Sequence, residues 1–296
     1  QTFSPVAKSA TIRSIIALAA SEKMSLMQFD VSTAFLYGEL EEDIYMVQPE
    51  GYADDSGRVC KLKKSLYGLK QASRCWNNRF GSFLISLGFK RSEADPCLFI
   101  RVKDERKLLV ALYVDDGIVA GTTRDDAIEF LKELEREFKI TSSIASYFLG
   151  IEIDQRQDGS IKISQGAYTK RVLERFGMMD CKSVTTPIVK ESDSTETARD
   201  NTFPYRSAVG ALMYLMTGTR PDIAYAIGIV SRSLENPSAA DVQRVKRIFR
   251  YLKGTSSLGI VYQPSTDGGE LICYSDADHG GDQETRRSTS GVACMY

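Results

Sequence analysis

The chain has 296 residues, 43% of them apolar, and a formal net charge of −1, which allows about two domains with real cores and leaves any nucleic-acid contact to local patches. No apolar run nears the roughly 18 residues of a membrane span and no signal peptide is legible, so no membrane role is indicated. Six cysteines without CxxC spacing argue for reduced intracellular thiols, and the single histidine, His279, excludes any Ser-His or Cys-His nucleophile that does not use it.

The first residue is Gln1 rather than Met, as expected of a fragment or processed piece. Residues 8–20 read as a helix with Ile12, Ile15, Ile16 and Ala19 on one face. In MSLMQFDVSTAFLYG (24–38) a β-like run ends at Asp30 and a helical pattern starts over Ser32–Leu36. A carboxylate at a strand's end points off the sheet, where a substrate can reach it; an N-cap for the following turn is the plainer use of Asp30. The acidic run Glu39–Asp43 reads as a solvated face.

Between 60 and 80, Lys61, Lys63, Lys64, Lys70 and Arg74 interleave with Leu66, Tyr67, Leu69 and Trp76. Basic residues among aromatics suit a phosphate backbone and stacked bases. A helix with Trp76, Phe80, Leu84 and Leu87 inward accounts for the same stretch structurally, and the two readings are compatible.

Residues 107–121, KLLVALYVDDGIVAG, carry two apolar runs around Asp115 and Asp116. They predict a hairpin with its turn at Asp116-Gly117. An acidic turn on a plain hairpin is one reading. However, adjacent carboxylates on a buried hairpin repel each other unless a cation lies between them. With Asp30 on a neighbouring strand, the three form a ligand set for two metal ions about 3.5–4 Å apart. Mg²⁺, or Mn²⁺ in its place, suits such all-oxygen ligation.

Further on, 123–138 predicts a helix opened by a Thr123/Asp126 capping box. Strand 147–153, the turn 157–159 and strand 160–164 predict another hairpin. Residues 189–203 read as a polar exposed linker, followed by helices over 205–217 and 222–234. In SAADVQRVKRIFRYLK (238–253) Val242, Val245, Phe249 and Leu252 line one face, with Arg244, Arg247, Arg250 and Lys253 on another. That basic stripe is either a solvated face or a track for a duplex backbone. From 258 onward a new sheet is expected, with LGIVY as its first strand.

Seven motifs in this order, FDVSTAFLYG, SLYGLKQASRCW, YVDD, YFLGIEI, YRSAVGALMYL, TRPDIAYA and YSDADHGGD, resemble the Pol polyprotein of copia-type long-terminal-repeat retrotransposons. The resemblance implies an α+β right-hand polymerase fold: partial fingers and palm over 1–165, a thumb-like helical region over 166–235, and a connection over 236–268. The start of a ribonuclease H-like sheet would follow over 269–296.

By resemblance, Asp30, Asp115 and Asp116 bind two Mg²⁺ ions. Phe35, Tyr113, Gly68, Lys70 and Gln71 meet nucleotide and template, and Leu149 and Gly150 form a primer grip. Asp276 would be the first carboxylate of a ribonuclease H site whose partners lie beyond Tyr296. Ser73 and His279 depart from the family's usual Pro and Trp. The implied partners are RNA template, DNA primer, RNA–DNA hybrid, deoxynucleoside triphosphates, and the integrase and complete ribonuclease H of the polyprotein. The implied setting is an intracellular, cytoplasmic virus-like particle, with a nuclear location also open. A catalytically silent nucleic-acid-binding remnant and another two-metal palm enzyme, such as a nucleotide cyclase, are the competing readings. The cyclase reading lacks its acidic Gly-Gly signature here.

Overall fold

A computed structural model describes residues 2–54, 56–189, 202–265, 270–282 and 285–295. In chain order the elements are α1 (Ser9–Ser21), β1 (Ser25–Val31), β2 (Tyr45–Met46), β3 (Cys60–Lys61), α2 (Ala72–Ser86), β4 (Lys90–Arg91), β5 (Leu98–Lys103), β6 (Arg106–Tyr113) and β7 (Asp116–Gly121). Then follow α3 (Arg124–Glu137), β8 (Ile140–Ile144), β9 (Tyr147–Phe148), β10 (Ile151–Gln155), β11 (Ile161–Ser164), α4 (Gly166–Arg175), α5 (Tyr205–Gly218), α6 (Ala224–Val230), α7 (Ala239–Gly254), β12 (Gly259–Tyr262), β13 (Ile272–Ala277) and β14 (Ser290–Met295). Packing divides the chain into two compact units, 1–145 with 263–296, and 146–262.

The first unit is built on a six-stranded sheet in the order β4-β5-β6-β7-β1-β8. Its middle strands β6 and β7 are buried over nearly their whole length, which explains why they read as continuous apolar runs rather than alternating ones. On one face Met27, Phe29, Val31, Val110, Leu112 and Val119 pack against Trp76, Phe80 and Leu84 of α2 and Phe130, Leu131 and Leu134 of α3. Helix α1, with Ile12, Ile15, Ile16 and Ala19 buried as its periodicity requires, packs on β1, β6 and β7. Helix α3 starts with the expected capping box, Thr123 and Asp126 each accepting the other's backbone N–H. The α+β class holds.

The second unit joins a four-stranded sheet, order β12-β11-β10-β9, to α4–α7. Its core is Val172 and Leu173 of α4 with Val209, Leu212, Leu215, Ile227, Val245, Phe249 and Leu252. The 3.6-residue spacing of α7 puts Val245, Phe249 and Leu252 on one face, and Ser238 and Asp241 cap its start.

Several expectations are corrected. The turn between β6 and β7 is Val114-Asp115, not Asp116-Gly117, because Asp116 is already paired with Tyr113. The run 147–153 is not one strand: Leu149 and Gly150 take left-handed φ values of 49° and 82° and fold it into the β9–β10 hairpin. The segment 222–234 breaks into a 3₁₀ turn at Pro221–Ile223, the short α6, and a second 3₁₀ turn at Ser231–Ser233. LGIVY does not begin a new sheet, since Gly259–Tyr262 pairs with β11; the following sheet is β13 with β14. Most of the predicted linker, 190–201, lies outside the described residues, as do 266–269. Among the described residues no helix is long and apolar enough to cross a membrane.

Candidate active site

Strands β1, β6 and β7 bring the acidic residues together. In the β1–β7 ladder Asp30 stands directly opposite Asp116, and Asp115 occupies the adjoining turn. Directly opposed residues of an antiparallel pair have Cβ atoms about 4.5–5.5 Å apart, and like charges there destabilise. Burial first, and then the charges of Asp115 and Asp30, raise the Asp116 carboxyl above its ordinary value. Among the described residues no cation acts on it, in contrast to Asp222, where burial opposes ionisation but Arg220 overrides it and lowers the pKa. Asp30 is exposed while Asp115 and Asp116 are half-buried, so the cluster opens to solvent on the β1 side.

The turn bearing Asp115 is held from two directions. The Val114 carbonyl accepts the Trp76 indole N–H at 2.6 Å, the Asp115 carbonyl accepts the Val31 amide at 2.9 Å, and Val114 itself sits at φ 61°. A β-branched residue in that region is an outlier that persists where its surroundings fix it. Gly117 serves packing rather than the turn: the Phe29 ring lies where its Cβ would be. Trp76 is legible in the sequence as core, but its hold on Val114 is not. The general need of a buried indole N–H for a partner is the one signal for it.

Phe35 lies half-buried in the 3₁₀ turn Ala34–Tyr37 that follows β1. Its ring is 4.9 Å from that of Tyr67, the exposed residue beside Gly68. The structure thus joins the Asp30 segment to the Gly68–Gln71 loop, a link that sequence spacing cannot reveal. Gly68 has φ 93°, Lys70 is exposed, and Gln71 forms the N-terminal boundary of α2. Tyr113 is half-buried as the strand partner of Asp116.

The acidic run 39–43 is more than a solvated face. Glu42 accepts from Arg74 at 2.6 Å and from Gln71 at 3.4 Å, and Asp43 pairs with Lys61 at 2.6 Å. The hydrogen bond from Arg74 is the main reason that the Glu42 carboxyl is lowered. Likewise Arg244, Arg247 and Arg250 of the basic stripe are engaged, with Asp241, Thr186 and the Lys182 carbonyl.

Leu149 and Gly150 belong to the second unit and form the β9–β10 turn. Asp276 is exposed on β13 opposite Gly291, its carboxylate accepting the Ala277 amide. Among the described residues no three His, Cys, Asp or Glu side chains are gathered closely enough to hold a metal as they stand. The chemistry of the Asp30, Asp115 and Asp116 set nevertheless fits a divalent cation: acidic oxygens on a half-buried sheet end, one with its ionised form disfavoured by burial and then by the other two.

A family model described as reverse transcriptase (RNA-dependent DNA polymerase) matches residues 1–190. The chain is 42% identical, over its full length, to the "Retrovirus-related Pol polyprotein from transposon TNT 1-94" of Nicotiana tabacum, covering 23% of that protein. It is 38% identical over 98% of its length to the corresponding polyprotein from transposon RE1 of Arabidopsis thaliana, covering 20% of it. It is also 32% identical over 90% of its length to the "Putative transposon Ty5-1 protein YCL074W" of Saccharomyces cerevisiae, covering 88% of that protein. The chain therefore spans about a quarter or less of the two plant polyproteins. With these matches, the chain belongs to the reverse transcriptase family, in the branch of copia-type retrotransposon Pol polyproteins.

Proposed function

We propose that this chain supplies the RNA-directed DNA polymerase of a copia-type Pol polyprotein, adding deoxynucleotides to a primer 3′-hydroxyl on an RNA or DNA template. The observation that carries the reading is the register pair Asp30–Asp116 beside Asp115, with the Asp116 carboxyl raised by burial and its acidic neighbours. In this reading the sheet with α1–α3 is the palm with part of the fingers, α4–α6 are thumb-like, α7 lies in the connection, and the 149–150 turn is the primer grip. The strands β13 and β14, with Asp276, open a ribonuclease H-like sheet. The template, the primer and the hybrid they form are nucleic-acid partners, the polyprotein's integrase and remaining ribonuclease H are its protein partners, and the setting is intracellular.

Asp30, Asp115 and Asp116 hold two divalent cations, Mg²⁺ or Mn²⁺. When bound, such ions supply a lowered pKa for the attacking hydroxyl and charge neutralisation for the leaving pyrophosphate. The rest is the work of the chain. Trp76 and Val31 fix the turn, so that Asp115 needs little reorganisation to reach its ligating position. Phe35, steadied by Tyr67, lies beside the nucleotide sugar and leaves no room for a 2′-hydroxyl. Gly68, Lys70 and Gln71 position the template and the incoming nucleotide, and Tyr113 flanks the carboxylates.

Cation binding tests the site directly. Millimolar Mg²⁺ or Mn²⁺ should raise the thermal midpoint of the parent chain, because an ion that binds only the folded state stabilises it. The rise should disappear in Asp116→Asn. An equal rise in both proteins would refute the ligand assignment.

A further inference from the structure

The β9–β10 turn is strained at its two central residues, Leu149 and Gly150, both half-buried. Leu149 has φ 49° and Gly150 φ 82°, and a bulky side chain in the left-handed region persists only where its surroundings fix it. The fixing group is Tyr214 of α5, whose hydroxyl donates to the Leu149 carbonyl at 3.0 Å. The same hydroxyl occupies the space that a Cβ on residue 150 would need, so Gly150 is required both by its φ and by this close approach.

Tyr214 is not a core residue. Its neighbours Ala211, Leu212 and Leu215 fill the core of the second unit, while Tyr214 keeps 42% of its surface exposed. Its ring meets the edge of Tyr168 of α4 at 4.8 Å and 65°, and Arg171 lies over the Tyr168 ring at 5.7 Å. The chain of side chains runs from α4 through two tyrosines to a single carbonyl of the turn. Burial of the hydroxyl raises its pKa from an ordinary value at which it is already a donor at neutral pH.

We propose that Tyr214 is a positioning residue: its hydroxyl holds the Leu149–Gly150 turn in the shape that receives the terminal nucleotides of a primer strand. The proposal rests on the primer-grip reading of that turn.

The test compares the parent chain with Tyr214→Phe, which removes the hydroxyl and leaves the ring, and with Tyr214→Phe combined with Leu149→Gly. Two quantities are measured: amide hydrogen exchange over residues 149–151, and affinity for an RNA–DNA duplex with a recessed primer 3′ end against a blunt duplex of equal length. In Tyr214→Phe, exchange at the turn should quicken by about tenfold. Recessed-end affinity should fall by about fivefold, the usual worth of one hydrogen bond, with blunt-duplex affinity unchanged. Adding Leu149→Gly should recover most of the loss, because glycine adopts the left-handed shape without strain.

Unchanged exchange in Tyr214→Phe, or a double variant no better than the single one, overturns the clamp. Faster exchange with parent-like recessed-end affinity leaves the clamp in place but overturns its positioning role. A parent chain that binds recessed and blunt ends alike refutes the primer-grip reading itself, whatever Tyr214 does.

Discussion

At the scale of single residues, Asp116 is the most informative. Its native pKa lies above its ordinary value of 3.8, so the folded state holds the proton more tightly than the unfolded one. Stability therefore declines as pH rises through the interval between the two values. Asp116→Asn should be as stable as the parent near pH 3 and more stable near pH 7, as read by thermal midpoint at each pH. Polymerase activity should fall on the order of a thousandfold, about 4 kcal/mol of transition-state stabilisation. A variant less stable than the parent at neutral pH would contradict the repulsion argument. Phe35 supplies a second prediction. Phe35→Val should raise ribonucleotide use relative to deoxynucleotide by at least about tenfold, roughly 1.4 kcal/mol. Tyr67→Ala, which removes the ring against Phe35, should move the ratio the same way by about threefold, or roughly 0.7 kcal/mol. Single-nucleotide incorporation with both sugars decides it: equal losses for the two would mark Phe35 as ordinary core. The Asp residues were legible because adjacent acids on an apolar hairpin are unusual. The Phe35–Tyr67 and Tyr214–Leu149 pairs were not, since each joins residues far apart in sequence through one ring or one hydroxyl.

At the scale of elements, the helices were legible where periodicity was strong, with a cap beside it in α3 and by its apolar face alone in α7. The places where sequence and structure differ share a physical cause. Asp-Gly is a strong turn signal, but here Gly117 answers the Phe29 ring, and the pairing of Tyr113 with Asp116 moves the turn two residues back. LGIVY suits a strand in either sheet, and only its pairing with Ile161–Ser164 decides which. The break after α5 has a structural reward. Arg220, 1% exposed, donates to both oxygens of Asp222 at 2.9 and 2.8 Å and to the Thr255 carbonyl and hydroxyl at 2.9 and 2.7 Å. This ties the Pro221–Ile223 turn to the C-terminal end of α7. Asp222→Asn leaves the guanidinium buried and short of its counter-charge. It should cost roughly 3 kcal/mol, the low end for breaking a buried pair because Asp222 keeps some exposure. In the parent, the contribution of Asp222 is present above the ordinary carboxyl range. It should fade as pH falls from about 4 toward the lowered native value. Urea unfolding followed by Tyr fluorescence, at neutral and acid pH, checks both. An Asp222→Asn protein with a parent-like midpoint would remove the clamp from the account.

At the scale of the whole molecule, a net charge of −1 means that affinity for nucleic acid must come from where the basic residues lie. Lys61 and Arg74 are paired with Asp43 and Glu42, which leaves Lys63, Lys64 and Lys70, also exposed, to meet phosphates. Replacing these three by Gln should weaken primer–template binding regardless of sequence. The slope of log affinity against log salt should become shallower by about 0.7–0.9 for each phosphate no longer neutralised. An unchanged slope would place the nucleic-acid surface elsewhere. The sequence disclosed the amphipathic helices and the acidic β6–β7 hairpin, because both follow from local patterns. It did not disclose the grouping of 146–165 with the helices, which depends on long-range packing. The central claim, a polymerase whose chemistry rests on Asp30, Asp115 and Asp116, is tested most directly by RNA-templated primer extension with deoxynucleotides and Mg²⁺, parent beside Asp30→Asn. The parent should extend the primer on the template, and the variant should lose activity on the order of a thousandfold. Equal extension by the two proteins, or none by the parent, would contradict that claim.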